Sequence, residues 1–84
     1  MDEHALEVRT IADSGTLCRV IGVFAQLGLC PPELEVSRDG TDLVIRVRTK
    51  ADVQTVARLE RKWLSIYGVK KIEITQVANA LKQA

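Results

Sequence analysis

The chain has 84 residues and a formal charge of +1, with acids and bases almost balanced. That length holds one small domain burying roughly 60–65% of its unfolded surface, so oligomerisation is an expected supplement to a modest core. Near-neutral charge excludes a general field for nucleic acid or anionic lipid, and no apolar run approaches a membrane span.

The only cysteines, Cys18 and Cys30, are not spaced as CxxC and have no histidine nearby, which reads as reduced thiols in a cytoplasmic protein. Met1-Asp2-Glu3-His4 is acidic and lacks an apolar core, so no signal peptide is expected. Leu6 to Ile11 alternates, with Leu6, Val8 and Thr10 on one side, and predicts a first strand. A helix over about 15–27 follows, with Leu17, Val20, Phe24 and Leu27 on one face and Gly28 as its stop.

Pro31-Pro32 bars helix continuation. Glu33 to Arg38 and Asp42 to Thr49 then alternate around Asp39-Gly40, a strong two-residue hairpin signal. With Asp39-Gly40 as the loop, Val36 opposes Leu43, Leu34 opposes Ile45 and Glu33 opposes Arg46. Thr49-Lys50-Ala51-Asp52 reads as a capping box opening a second helix. Its apolar face is predicted to comprise Val53, Val56, Leu59, Trp63, Ile66 and Tyr67, with Gly68 as the stop. Glu60 falls inside that arc, either as a pairing residue at a subunit boundary or as an edge glutamate turned to water. Lys71 to Val77 predicts a last strand with Ile72 and Ile74 inward, and Ala78 to Ala84 is a short helix-compatible tail.

The order β-α-β-β-α-β predicts an α+β, ferredoxin-like sandwich: a four-stranded antiparallel sheet with two helices on one face, over residues 1–77, with 78–84 as a tail. The other sheet face carries Glu7, Arg9, Glu33, Glu35, Arg46, Arg48, Lys71 and Glu73 and reads as solvated. Phe24, Trp63 and Tyr67 sit on inward helical faces, so the outer face lacks the stacking platform of an RNA-binding module. The first loop has one thiol where a soft-metal carrier needs two, so no metal and no cofactor are expected. The lone His4 reads as a solvated tail residue, and Ser14 beside Asp13 reads as helix capping, which leaves no catalytic constellation and predicts a non-enzyme.

Gly15-x-Leu17-x-Arg19-Val20-x-x-x-Phe24-x-x-x-Gly28, set between a strand and a hairpin, resembles the ACT domain from about Leu6 to Val77. The brevity and the first-helix wording also resemble the short small subunits of acetolactate synthase. The resemblance implies a non-catalytic regulatory module that pairs side by side into an eight-stranded sheet and associates with an amino-acid biosynthetic enzyme. It also implies an amino-acid effector at the seam, in contact with Ala12, Asp13, Ser14, Gly15, Thr16 and Leu17, with Cys30 across the interface. Free N–H groups near Gly15 are suited to hold an effector carboxylate.

Ligand-binding members often carry Asn or Asp where this chain has Ala12, and Asn where it has Cys30. Neither side chain replaces the polar group that would orient an ammonium. Asp13 is left as either a helix-start residue or a substitute acceptor. Cys18, Gly22 and Ala25 form a small-residue stripe on the first helix that suits a dimer contact. The alternative functions are a free-standing effector sensor and a plain protein-interaction domain.

Overall fold

The elements run β1 (Asp2–Ile11), α1 (Ser14–Gln26), β2 (Glu33–Asp39), β3 (Asp42–Ala51), α2 (Val53–Leu64) and β4 (Val69–Gln76) in a computed structural model that describes residues 2–77. The sheet order is β2-β3-β1-β4 with every neighbour antiparallel, which is the expected βαββαβ sandwich. Leu6 and Val8 of β1 and Ile45 and Val47 of β3 form the sheet side of the core. Val20, Val23 and Phe24 of α1 and Val56, Leu59 and Trp63 of α2 close it from above. Trp63 is fully buried; its indole N–H donates to the Val20 carbonyl at 3.0 Å, and its ring meets Phe24 edge-on at 5.6 Å. The tail expected at 78–84 lies outside the described residues.

Both helices are capped by aspartate. The Asp13 carboxylate accepts from Thr16 N–H and the Asp52 carboxylate from Thr55 N–H. The capping box expected at Thr49 is therefore corrected: β3 continues to Ala51, Thr49 pairs with His4, and Asp52 alone opens α2. At the end of α1, Leu29 N–H donates to the Phe24 carbonyl and Gly28 N–H to the Ala25 carbonyl, a Schellman closure.

Further expectations are corrected. The hairpin loop is Gly40-Thr41, flanked by the pair Asp39 and Asp42. Gly40 has φ +62 and no non-glycine residue among the described residues has positive φ, so the chain turns where its one permissive residue stands first in the loop. Val36 therefore opposes Ile45, Leu34 opposes Val47 and Glu35 opposes Arg46. The slip moves each partner by two residues, so every side chain keeps its face.

His4 is not a solvated tail residue: β1 begins at Asp2, and His4 is buried between Thr49 and Gln76 with its Nδ1 unpartnered. Val53 and Tyr67, expected in the core, are 68% and 84% exposed. Val53 starts α2 at its rim, and Tyr67 follows the helix end at Ser65, where helical phase no longer governs direction.

Val44 is buried although it lies on the outer, charged sheet face. Arg9 stands opposite it on β1 and reaches over β3 to Asp39 on β2 at 2.9 Å, so its methylenes roof the valine.

Candidate functional site

The loop between β1 and α1 is held from within. Asp13 has extended backbone (φ −134, ψ 126), and its Oδ2 lies 2.9 Å from Thr16 N and 3.0 Å from Thr16 Oγ1. The Thr16 amide, then its hydroxyl, holds the Asp13 carboxyl below the usual carboxylate range, helped by the charge of Arg19 and the Gly15 amide. A Cβ on Gly15 would sit 3.2 Å from Asp13 Oδ2, so the absent side chain leaves room for the capping carboxylate. The anion position at this helix terminus is thus filled by the chain's own aspartate. An incoming carboxylate meets that charge first, with Ser14 and Gly15 amides beside it.

Ala12, Asp13, Ser14 and Gly15 are exposed, Leu17 is half-buried, and Thr16 is fully buried. The Thr16 hydroxyl also lies 3.2 Å from the Tyr67 carbonyl, so its single proton serves Asp13 or Tyr67. Ile11 N–H donates to the Gly68 carbonyl at 2.9 Å. The turn after α2 therefore braces the loop before α1. Sequence reasoning missed this brace because it joins Ile11 and Thr16 to Tyr67 and Gly68, more than fifty positions away. Of the two roles the sequence left open for Asp13, the structure gives it that of the helix-start residue.

Cys30 is exposed in the α1–β2 connection. It stands at the opposite end of α1 from Asp13, about 20 Å away along a 13-residue helix. One chain therefore does not bring Cys30 to the loop. The sheet offers a route by which two chains would. Asp39, Asp42 and Ile11 share one row, which places the far end of β2 beside the foot of the loop. Antiparallel pairing of two β2 edges would set the start of one β2, next to Cys30, against the end of the other.

β2 is exposed along its length, and Leu34 and Val36 present apolar surface on the helix side of that edge at 39% and 38% exposure. Cys18, Gly22 and Ala25 come together on the outside of α1, where both thiol and methyl are exposed and Gly22 is half-buried. Beside them a groove of about 420 Å³ separates α1 from α2.

Across the outer sheet face the charges pair between strands: Arg46 with Glu7 at 3.2 Å and Glu35 at 3.8 Å, and Arg48 with Glu3 at 3.3 Å. Asp42 is held low by Lys70 and then Arg9, outweighing its partial desolvation. No group of three or more His, Cys, Asp or Glu residues is placed to hold a metal among the described residues. Among the described residues no helix is long and apolar enough to cross a membrane.

This geometry defines a small ferredoxin-like module with a capped loop and an open sheet edge. The sequence model of the ACT-like domain family matches residues 3–81, and the chain belongs to that family, whose members are generally regulatory. The fold is similar to that of an uncharacterized protein of Thermotoga maritima, with TM-score 0.78 and 14% identity over 92% of this chain and 98% of that one. It is also similar to the ACT domain of GTP pyrophosphokinase from Chlorobium tepidum, with TM-score 0.76 and 12% identity over 89% and 100%. An ACT domain protein of Streptococcus pneumoniae has TM-score 0.70 and 20% identity over 99% and 96%. No curated protein matches the chain.

Proposed function

We propose that this chain is a non-catalytic regulatory subunit that homodimerises and acts on an amino-acid biosynthetic enzyme in the cytoplasm, with acetolactate synthase the first candidate. The β2 edge supports the dimer: Leu34 and Val36 are left half-open on a seven-residue strand whose outer backbone groups face no neighbour among the described residues. Pairing there makes one eight-stranded sheet and brings each Cys30 toward the other chain's Ala12–Leu17 loop.

One observation carries the preference for a partner subunit over a free-standing effector sensor. The Asp13 carboxylate already occupies the Thr16 amide and sets its negative charge beside the Ser14 and Gly15 amides that an effector's carboxylate would take. Ala12 and Cys30 add no side-chain acceptor for an ammonium. Control therefore runs through protein contact more than through a strongly bound amino acid.

The test is co-purification with the catalytic subunit encoded nearby, alongside thermal shift against the twenty amino acids. Stable association with weak or absent amino-acid stabilisation is the expected pair of results. Absence of association in every condition ends the subunit reading. A clear shift by one amino acid, abolished by a Gly15→Val substitution, establishes the sensor instead.

A further inference from the structure

The charges of this chain are sorted by layer. Every ion pair seen among the described residues joins side chains of the strands: Arg9 with Asp39 and Asp42, Arg46 with Glu7 and Glu35, Arg48 with Glu3, Lys70 with Asp42, and Lys71 with Glu73. Each helix opens on a capping aspartate, Asp13 and Asp52; past those caps α1 carries Arg19, and α2 carries Arg58, Arg61 and Lys62 against the single acid Glu60. Of these cations, Arg19 leans on the charge of Asp13, and Arg58, Arg61 and Lys62 make no ion pair among the described residues. A chain of nearly zero net charge thus presents a basic helical layer.

The groove between the helices runs through this layer. Its floor is small and apolar at Gly22, Val23 and Ile66, and Arg19 and Lys62 stand on its two banks. Arg58 lies one turn before Lys62 on the same side of α2, so it extends the positive bank beyond the groove's own lining. Gly22 does not serve the fold here: its φ is not positive, and a Cβ would find nothing within 4 Å. What glycine does at this position is keep the floor low, so that another backbone can approach.

We infer that the α1–α2 groove docks an acidic amphipathic helix of the regulated enzyme, one with a stripe of small residues flanked by Glu or Asp. This rests on the reading of the chain as a partner of a larger enzyme and supplies the chemistry of the contact. Charge complementarity selects this occupant. A second copy would offer helices of the same basic excess, with Glu60 the one acid within them, so its charge complements the groove less well than an acidic partner does. Single-stranded nucleic acid would find one exposed ring, Tyr67, and not a run of stacking rings, because Phe24 and Trp63 are buried in the core.

The experiment follows the amide resonances of the full chain on titration with a synthetic helical peptide bearing alanines at i, i+4 and i+7 between glutamates. The same peptide with lysines for glutamates, a single-stranded RNA oligonucleotide, and the chain alone at rising concentration are the other arms. The acidic peptide is expected to move the resonances of residues 18–26 and 58–66. Binding is expected to weaken about tenfold in R58E/K62E and in Gly22→Leu, and to fall with added salt. The R58E/K62E variant is expected to take the lysine peptide instead, and unchanged melting temperatures show that both variants fold.

No binding of the acidic peptide, equal binding of both peptides, or response of these residues to RNA or to self-association instead would each overturn the inference. Co-purification separates it from the regulatory reading. An enzyme that still associates with R58E/K62E removes the groove but not the regulation. A wild-type chain that binds the peptide and no enzyme removes the regulation but not the groove.

Discussion

Gly68→Ala tests the brace between the two halves of the fold. Gly68 has φ +97, beyond the left-handed well that other residues tolerate, which sets a conformational cost of about 1–2 kcal/mol. A Cβ there would lie 2.8 and 2.9 Å from the Ile11 side chain and 2.9 Å from Thr16 Oγ1. Ile11 is half-buried and β-branched, and its Cγ1 as well as its Cδ1 stands in the way. Thr16 is fully buried and tied to Asp13 and Tyr67, so overpacking adds about 1–2 kcal/mol. The sum is about 3 kcal/mol, which for a domain of this size lowers Tm by roughly 15 °C. Urea denaturation followed by circular dichroism measures it. Gly40→Ala is the internal control, because Gly40 also has positive φ but nothing within 4 Å of an added Cβ. It is expected to cost about 1 kcal/mol, from conformation alone. Equal losses at the two sites would refute the close-packing argument. Shortening Ile11 to alanine in the Gly68→Ala background is expected to return part of the penalty.

Four further outcomes are expected. Trp63→Phe removes the donor to the Val20 carbonyl and leaves a void beside Phe24, destabilising by about 2 kcal/mol in the same denaturation assay. His4→Leu replaces a buried ring with an unpartnered Nδ1 and raises stability by about 1 kcal/mol, seen as a higher urea midpoint with unchanged slope. Asp13, Asp42 and Asp52 all have carboxyl pKa values lowered by folding, so the unfolded chain takes up protons first as pH falls. Their stabilisation is complete above the unfolded carboxylate range and is lost below about pH 4, and D13N/D52N is expected to flatten that acid limb of a Tm profile. Val36→Lys places charge on the β2 edge and is expected to convert the proposed dimer to a folded monomer by sedimentation velocity.

The fold was legible because the strands alternate and the glycines and prolines punctuate them. The hairpin shows where local reading stops. Asp39-Gly40 carries a strong turn signal, yet the loop forms at Gly40-Thr41, and both registers keep Leu34, Val36 and Ile45 on the core side. Face is written in the alternation, whereas the row is settled by the turn backbone and by contacts such as Arg9 with Asp39. His4 was read as a tail because its burial depends on Thr49 and Gln76 from two other strands. Val53 and Tyr67 were placed inside by helical arithmetic that holds only within the helix body. At the candidate site the Asp13 cap was readable as one of two roles, and the clamp from Tyr67 and Gly68 was not readable, because no local pattern announces a contact across half the chain.

That clamp ties the start of one helix to the finish of the other. The Thr16 hydroxyl, the Tyr67 carbonyl, the Ile11 amide and the Gly68 backbone leave little slack between them. A tug on α2 by the proposed partner would therefore be felt at the mouth of α1 without crossing the sheet. The fold has a short lever at this corner, with Gly68 as its fulcrum.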